Sequence, residues 1–262
     1  MRKTAFIFIT WAVIAAVSSC SVKEDRGDCP CWLEIDLSGC GHYADEVQLK
    51  GWTSQKNVLG ANVLGEDFMT LYEAEVPRGT VDYVACSGTG ESRMTGMTVT
   101  VPEGEQCGNL FAYRASVITE CETVTDKVHL HKQYAAVHLG FEKADGMTAT
   151  AADVTVRGDW CGMDLRDLSP VKGTFSYSPR EDSDGQWTFR LPRQGDDGLL
   201  LDVYSEGTLI DSIQLGEVIA KTGYDWTADD LDDIWIGVDW ARGEISVRVD
   251  GWSEGSVYTA TI

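Results

Sequence analysis

Trp32-Leu33-Glu34-Ile35-Asp36-Leu37 decides the fold class of this chain. Leu33, Ile35 and Leu37 lie two residues apart and share one face of an extended backbone, with Glu34 and Asp36 on the other. A half-buried strand needs that period, whereas a helix would scatter the same residues around its axis. Working outward, Val47-Gln48-Leu49-Lys50-Gly51-Trp52 alternates in the same way, and Phe68 to Val76, Thr80 to Cys86 and Met97 to Val101 extend the series. Pro77-Arg78-Gly79, Gly88 to Gly90 and Pro102-Glu103-Gly104 fall between them. Proline presets φ for a turn and glycine supplies positive φ, so these are connections between strands.

A second series starts near Val124. Lys127 to Leu130 and Tyr134 to Phe141 read as a strand pair, followed by Asp153 to Arg157 and Gln186 to Leu191. Leu199 to Tyr204 and Thr208 to Ser212 flank Ser205-Glu206-Gly207, a hairpin signal. Ile234 to Val238, Glu244 to Val249 and Val257 to Ile262 complete the set. Helical periodicity is confined to Leu215 to Lys221, with Gly223 as its stop. Short strands at this spacing predict an all-β chain of antiparallel sandwiches. The boundary is expected within Thr119 to Thr125, giving sandwiches over 29–122 and 123–262.

A leader precedes the strands. Arg2 and Lys3 open it, Ala5 to Val17 form an apolar run too short to span a bilayer, and Val17-Ser18-Ser19-Cys20 closes it. That ending has the form of a bacterial lipobox. It predicts a signal peptide over 1–19, cleavage between Ser19 and Cys20, and acyl chains on the Cys20 thiol, at about 0.8 kcal/mol per buried methylene. Residues 20–28, with the polar run Ser21 to Asp28, then form a flexible tether.

Loss of Arg2 and Lys3 with the leader lowers Lys and Arg from 21 to 19 against 42 Asp and Glu, a formal charge of −23. A surface so acidic repels nucleic acid, which is excluded as a partner. Cys29, Cys31, Cys40, Cys86, Cys107, Cys121 and Cys161 remain besides Cys20. An exported compartment permits disulfides, and an odd count leaves at least one thiol unpaired. Cys29 and Cys31 are too close in sequence to bond each other, and the connectivity stays open.

Three segments together resemble the FimB-type fimbrial anchor lipoproteins of type V pili. They are Cys29-Pro30-Cys31-Trp32-Leu33-Glu34-Ile35-Asp36-Leu37-Ser38, then Val128-His129-Leu130-His131-Lys132-Gln133-Tyr134-Ala135-Ala136-Val137, then a C-terminal stretch. The last runs Ile213 to Ile219, Gly223-Tyr224-Asp225-Trp226, Asp230 to Ile234 and the pair Trp235 to Trp240 and Ile245 to Trp252. The resemblance implies two tandem transthyretin-like sandwiches and a lipid anchor in the outer membrane through acylated Cys20. It also implies a place at the pilus base, where pilin shaft subunits are tethered, fibre length is limited and subunits join by β-strand complementation. Lys23-Glu24-Asp25 resembles the acidic signal for the cell's outer face. The strand Val257-Tyr258-Thr259-Ala260-Thr261-Ile262 is the candidate exchanged or edge strand, or the last strand of its own sheet.

Other motifs weigh less. Arg26-Gly27-Asp28 and Arg157-Gly158-Asp159 would need exposed loop tips to act in adhesion. His129 and His131 share a strand face but offer too few ligands for a metal. Asp182-Ser183-Asp184-Gly185 begins like a calcium loop and reads better as an acidic hairpin turn. The cluster Asp229, Asp230, Asp232 and Asp233 reads as a solvated turn. Trp52, Trp160 and Trp187 fit either a core or a sugar-stacking platform. No zinc-protease helix or phosphate loop is present. The chain is therefore expected to be a non-enzyme without cofactor or metal, with a surface glycan-binding lipoprotein as the alternative.

Overall fold

The computed structural model describes residues 29–90, 92–142, 153–239, 242–249 and 258–261. The chain is all-β, with one α-helix among the described residues. Strand β1 (Cys31–Asp36) carries the alternation of Leu33 and Ile35 with Glu34 and Asp36, and its Cys31, Leu33 and Ile35 are fully buried. It lies between β4 (Tyr72–Val76), antiparallel, and β9 (Thr123–Lys127), parallel. This three-stranded sheet faces a second one ordered β10 (His131–Lys132), β8 (Phe111–Ile118), β5 (Thr80–Ser87), β2 (Glu46–Trp52), β3 (Asn57–Leu64). Leu33, Ile35, Leu37, Val47, Leu49 and Tyr83 meet between the two.

The second sandwich is larger. One sheet runs β14 (Gln186–Pro192), β11 (Tyr134–Glu142), β17 (Ile234–Asp239), β18 (Glu244–Val249), β19 (Tyr258–Thr261). The other runs β16 (Thr208–Ile213), β15 (Leu200–Ser205), β12 (Asp153–Asp164), β7 (Thr98–Thr100), β6 (Arg93–Thr95), with β13 (Ser169–Tyr177) also paired to β12. Val137, Leu139, Val156, Phe175, Phe189, Leu201 and Ile236 fill its core, and helix α1 (Leu215–Lys221) adds Leu215 and Ile219.

The expected boundary needs correction. Thr123–Lys127 belongs to the first sandwich, because it supplies the parallel partner of β1 from Trp32–Thr123 to Asp36–Lys127. The β6–β7 hairpin, which lies before residue 122, instead joins the second sandwich through the pairs Gly162–Thr100, Met163–Val99 and Asp164–Thr98. A third apolar cluster results: Val84, Cys86 and Ala112 on the outer face of β5 and β8 pack with Val99, Met163 and Leu165. Gly162 makes this possible, since a Cβ there would stand 2.0 Å from the Val99 carbonyl oxygen.

The segment Lys127 to Leu130 does not pair with Tyr134 to Phe141. Strand β11 takes β14 and β17 as neighbours, and the two residues of β10 pair with β8. Phe68 sits at the end of a 3-10 turn ahead of β4. The hairpin at Ser205-Glu206-Gly207 forms as read: Glu206 and Gly207 have φ of 49° and 76°, the paired positive values a two-residue loop favours between twisted strands.

Candidate functional site

Cys20 and Ser19 lie outside the described residues, as do Val257 and Ile262 of the candidate strand. Tyr258, Thr259, Ala260 and Thr261 form β19, paired antiparallel to β18 from Val247–Tyr258 to Glu244–Thr261. It ends the order of its sheet, so among the described residues its outer main-chain groups meet no further strand. Tyr258 and Ala260 pack against the core, and Lys221 stands over the Tyr258 ring at 5.9 Å. An edge of this kind offers a ready ladder of donors and acceptors to another chain.

The second and third resemblance segments meet in space, where the first sandwich hands the chain to the second. Asp230 accepts from the Lys132 N–H at 2.6 Å and contacts His131 Nδ1 at 2.8 Å. Burial pushes the Asp230 carboxyl up, but these hydrogen bonds outweigh it and hold the group below the usual aspartate value. Lys132 Nζ and the Ala136 N–H both donate to Asp233 Oδ1, and Leu231 N donates to Lys132 O at 3.0 Å. The acidic cluster read as a solvated turn is in fact the partner of His131-Lys132-Gln133.

Arg193 completes the junction. It is 6% exposed, and its Nη2 donates to Gln133 Oε1 at 2.6 Å and to Ala228 O at 2.9 Å, while Nη1 donates to Trp226 O. Gln133 Nε2 in turn donates to Asp229 O at 3.0 Å and His131 O at 3.2 Å. Tyr224 donates its hydroxyl to Asp232 O at 2.8 Å, and its ring stands 4.6 Å from that of Trp226. Loops have no ladder to satisfy their carbonyls, so these buried donors order residues 224–233. Beside them opens a cleft of about 570 Å³ lined in part by Gln133, Arg193, Trp226, Asp167, Asp196 and Asp229.

Sequence reasoning missed Arg193. Gln133 and Arg193 are 60 positions apart, and no local pattern marks a lone arginine at the end of a strand. The remaining candidates separate cleanly. Arg157-Gly158-Asp159 lies within β12, where Arg157 Nε donates to Asp202 Oδ2 at 2.6 Å, so it is no loop tip; Arg26-Gly27-Asp28 lies outside the described residues. Asp182 Oδ1 is occupied by the N–H groups of Asp184 and Gln186, both at 2.9 Å, as an acidic turn requires. Trp187 belongs to the core, while Trp52 and Trp160 are half-buried. Trp235 is sandwiched between His138 at 4.9 Å and Arg248 at 5.0 Å. Among the described residues no three His, Cys, Asp or Glu side chains gather as a metal site.

No family profile and no curated protein sequence matches the chain. Solved structures do share its fold. The fimbrial anchor protein Mfa2 of Porphyromonas gingivalis matches with a TM-score of 0.61 at 10% identity, over 86% of this chain and 98% of that one. A candidate polysaccharide-binding protein of Bacteroides thetaiotaomicron matches at 0.62 and 14% identity, over 89% and 99%. A candidate adhesin of Bacteroides ovatus matches at 0.62 and 12%, over 92% and 97%. The fold thus agrees with the resemblance drawn from the three segments, over 86–92% of the chain.

Proposed function

We propose that this protein is a non-enzymatic fimbrial subunit, lipid-anchored through Cys20 in the outer membrane, which tethers pilin shaft subunits at the pilus base and limits fibre length. The observation that carries the reading is the fold shared with a fimbrial anchor protein across nearly the whole of both chains. In this account Cys20 supplies the membrane attachment, residues 20–28 the tether, and an open sheet edge the docking ladder for the first shaft subunit. Strand β19 is the candidate edge, because its outer side has no neighbour in the sheet order. No helix among the described residues is long and apolar enough to cross a membrane. The test is deletion of the gene in the native host. Fibres should detach or lengthen, and fibres of unchanged length that stay attached would refute the reading.

A second reading rests on the cleft beside Arg193. Trp226 offers a ring face and the surrounding carboxylates offer acceptors, a combination suited to a sugar. It makes the protein a surface glycan binder, as the candidate polysaccharide-binding protein that shares its fold is described to be. A glycan array separates the two: binding lost in Trp226→Ala supports glycan capture, and a blank array removes it.

A further inference from the structure

Two thiols meet where the tether enters the fold. Cys31 is the first residue of β1 and is fully buried, while Cys121 precedes β9 and is exposed. The parallel register sets Trp32 opposite Thr123, and Trp32 N donates to Glu122 O at 2.8 Å. Arg78 draws the same two segments together from the side, its Nε donating to Cys29 O at 2.7 Å and its Nη1 to Glu120 O. Cys31 thus adjoins the Trp32 N–H and Cys121 adjoins the Glu122 carbonyl that accepts from it, so the two thiols flank one inter-strand hydrogen bond. From this geometry we infer that Cys31 and Cys121 form a disulfide in the exported protein, with the exposed Cys29 left unpaired.

The reaction needs a disulfide oxidant, either a carrier protein or oxidised glutathione. Burial, with the neighbouring Cys121 thiol, pushes the Cys31 pKa up, so the exposed Cys121 reacts first. Its thiolate attacks one carrier sulfur and expels the other as a thiol. Cys31, giving up its proton, then attacks Cys121 Sγ and expels the second carrier thiol. Two cysteine S–H bonds and the carrier S–S bond are exchanged for one protein S–S bond and two carrier S–H bonds, and two electrons pass to the carrier. The link closes a loop of about 90 residues, long enough for a large restriction of the unfolded chain. It also lets tension along the tether reach β8 and β9 through a covalent bond, a consequence that alone rests on the anchoring reading.

The test is independent of localisation. The full chain, purified under reductant, is treated with oxidised glutathione and mapped by mass spectrometry alongside Cys29→Ser and Cys121→Ser, both at exposed positions. The expected result is one link to Cys121 that persists in Cys29→Ser, with the linked form melting roughly 10 °C higher and falling back on addition of dithiothreitol. Loss of the link in Cys29→Ser, a stable glutathione adduct on Cys121, or retention of both thiols overturns the proposal.

Discussion

Arg193 Nη2 and Gln133 Oε1 are 2.6 Å apart and both side chains are buried, one from the end of β14 and the other from the segment that joins the sandwiches. This bond ties the linker to the loop over 224–233, whose carbonyls the same two side chains satisfy. Removing Arg193 would strand several acceptors at once, at about 1–3 kcal/mol for each group left unsatisfied. Arg193→Met should therefore lower stability by roughly 3 kcal/mol or more and make residues 224–233 the first site of limited proteolysis. A double-mutant cycle with Gln133→Leu should show clear coupling. Additive effects and unchanged cleavage would mean the clamp is incidental.

Asp202 sets an acid limb on stability. It is 4% exposed, and although burial pushes its carboxyl up, hydrogen bonds from Arg157 and Ser212 hold it below the usual aspartate value. A carboxylate with a depressed pKa stabilises the fold fully above its unfolded value of about 3.9, and that contribution fades as pH falls through the folded value. Urea midpoints should thus decline below about pH 4, and Asp202→Asn should flatten the decline. An unchanged slope in the variant would assign the limb to other carboxylates.

Gly162 is required by contact. A methyl group there would lie 2.0 Å from Val99 O and 2.9 Å from Thr100 Cα, so β7 must move away. Gly162→Ala should cost about 2 kcal/mol and loosen the third apolar cluster, of which Val99 and Met163 are members. Hydrogen exchange at Val99 and Thr100 reads this directly, and wild-type protection in the variant would contradict it.

The thiols should divide into two classes. Burial pushes Cys40 and Cys86 up to about 11 and Cys107 to about 12, whereas Cys29 and Cys121 are exposed. In the reduced native chain, iodoacetamide at pH 8 should label Cys29 and Cys121 well before Cys40, Cys86 or Cys107. Early labelling of Cys107 would show that the second core opens readily.

The strands that sequence revealed share a trait: one apolar face and one polar face. Strands β1 and β2 alternate cleanly because their outer faces meet polar surroundings, and Glu244–Val249 was legible to the residue. The strands it missed are marked less clearly. In β3 the alternation of Leu59, Ala61 and Val63 is masked by Gly60 and Asn62, residues typical of turns, on its exposed face; Pro170 and Gly173 interrupt β13, and β8 carries Ala112 toward the third cluster while its other face serves the first core. The β6–β7 hairpin and β9 show why the boundary slipped. Pairing across long sequence separations is a tertiary decision, invisible to a pattern that repeats every two residues. The junction was half legible: its two segments stood out by resemblance, but their mutual contact and the role of Arg193 required the fold.

Attachment of the subunit to the membrane through Cys20 is tested most directly by Cys20→Ala in the native host, with fibres imaged on cells and in the medium. With loss of acylation confirmed by mass spectrometry, fibres shed into the medium or grown abnormally long are the predicted result. Fibres of normal length, still attached to cells carrying only the unacylated protein, would contradict it.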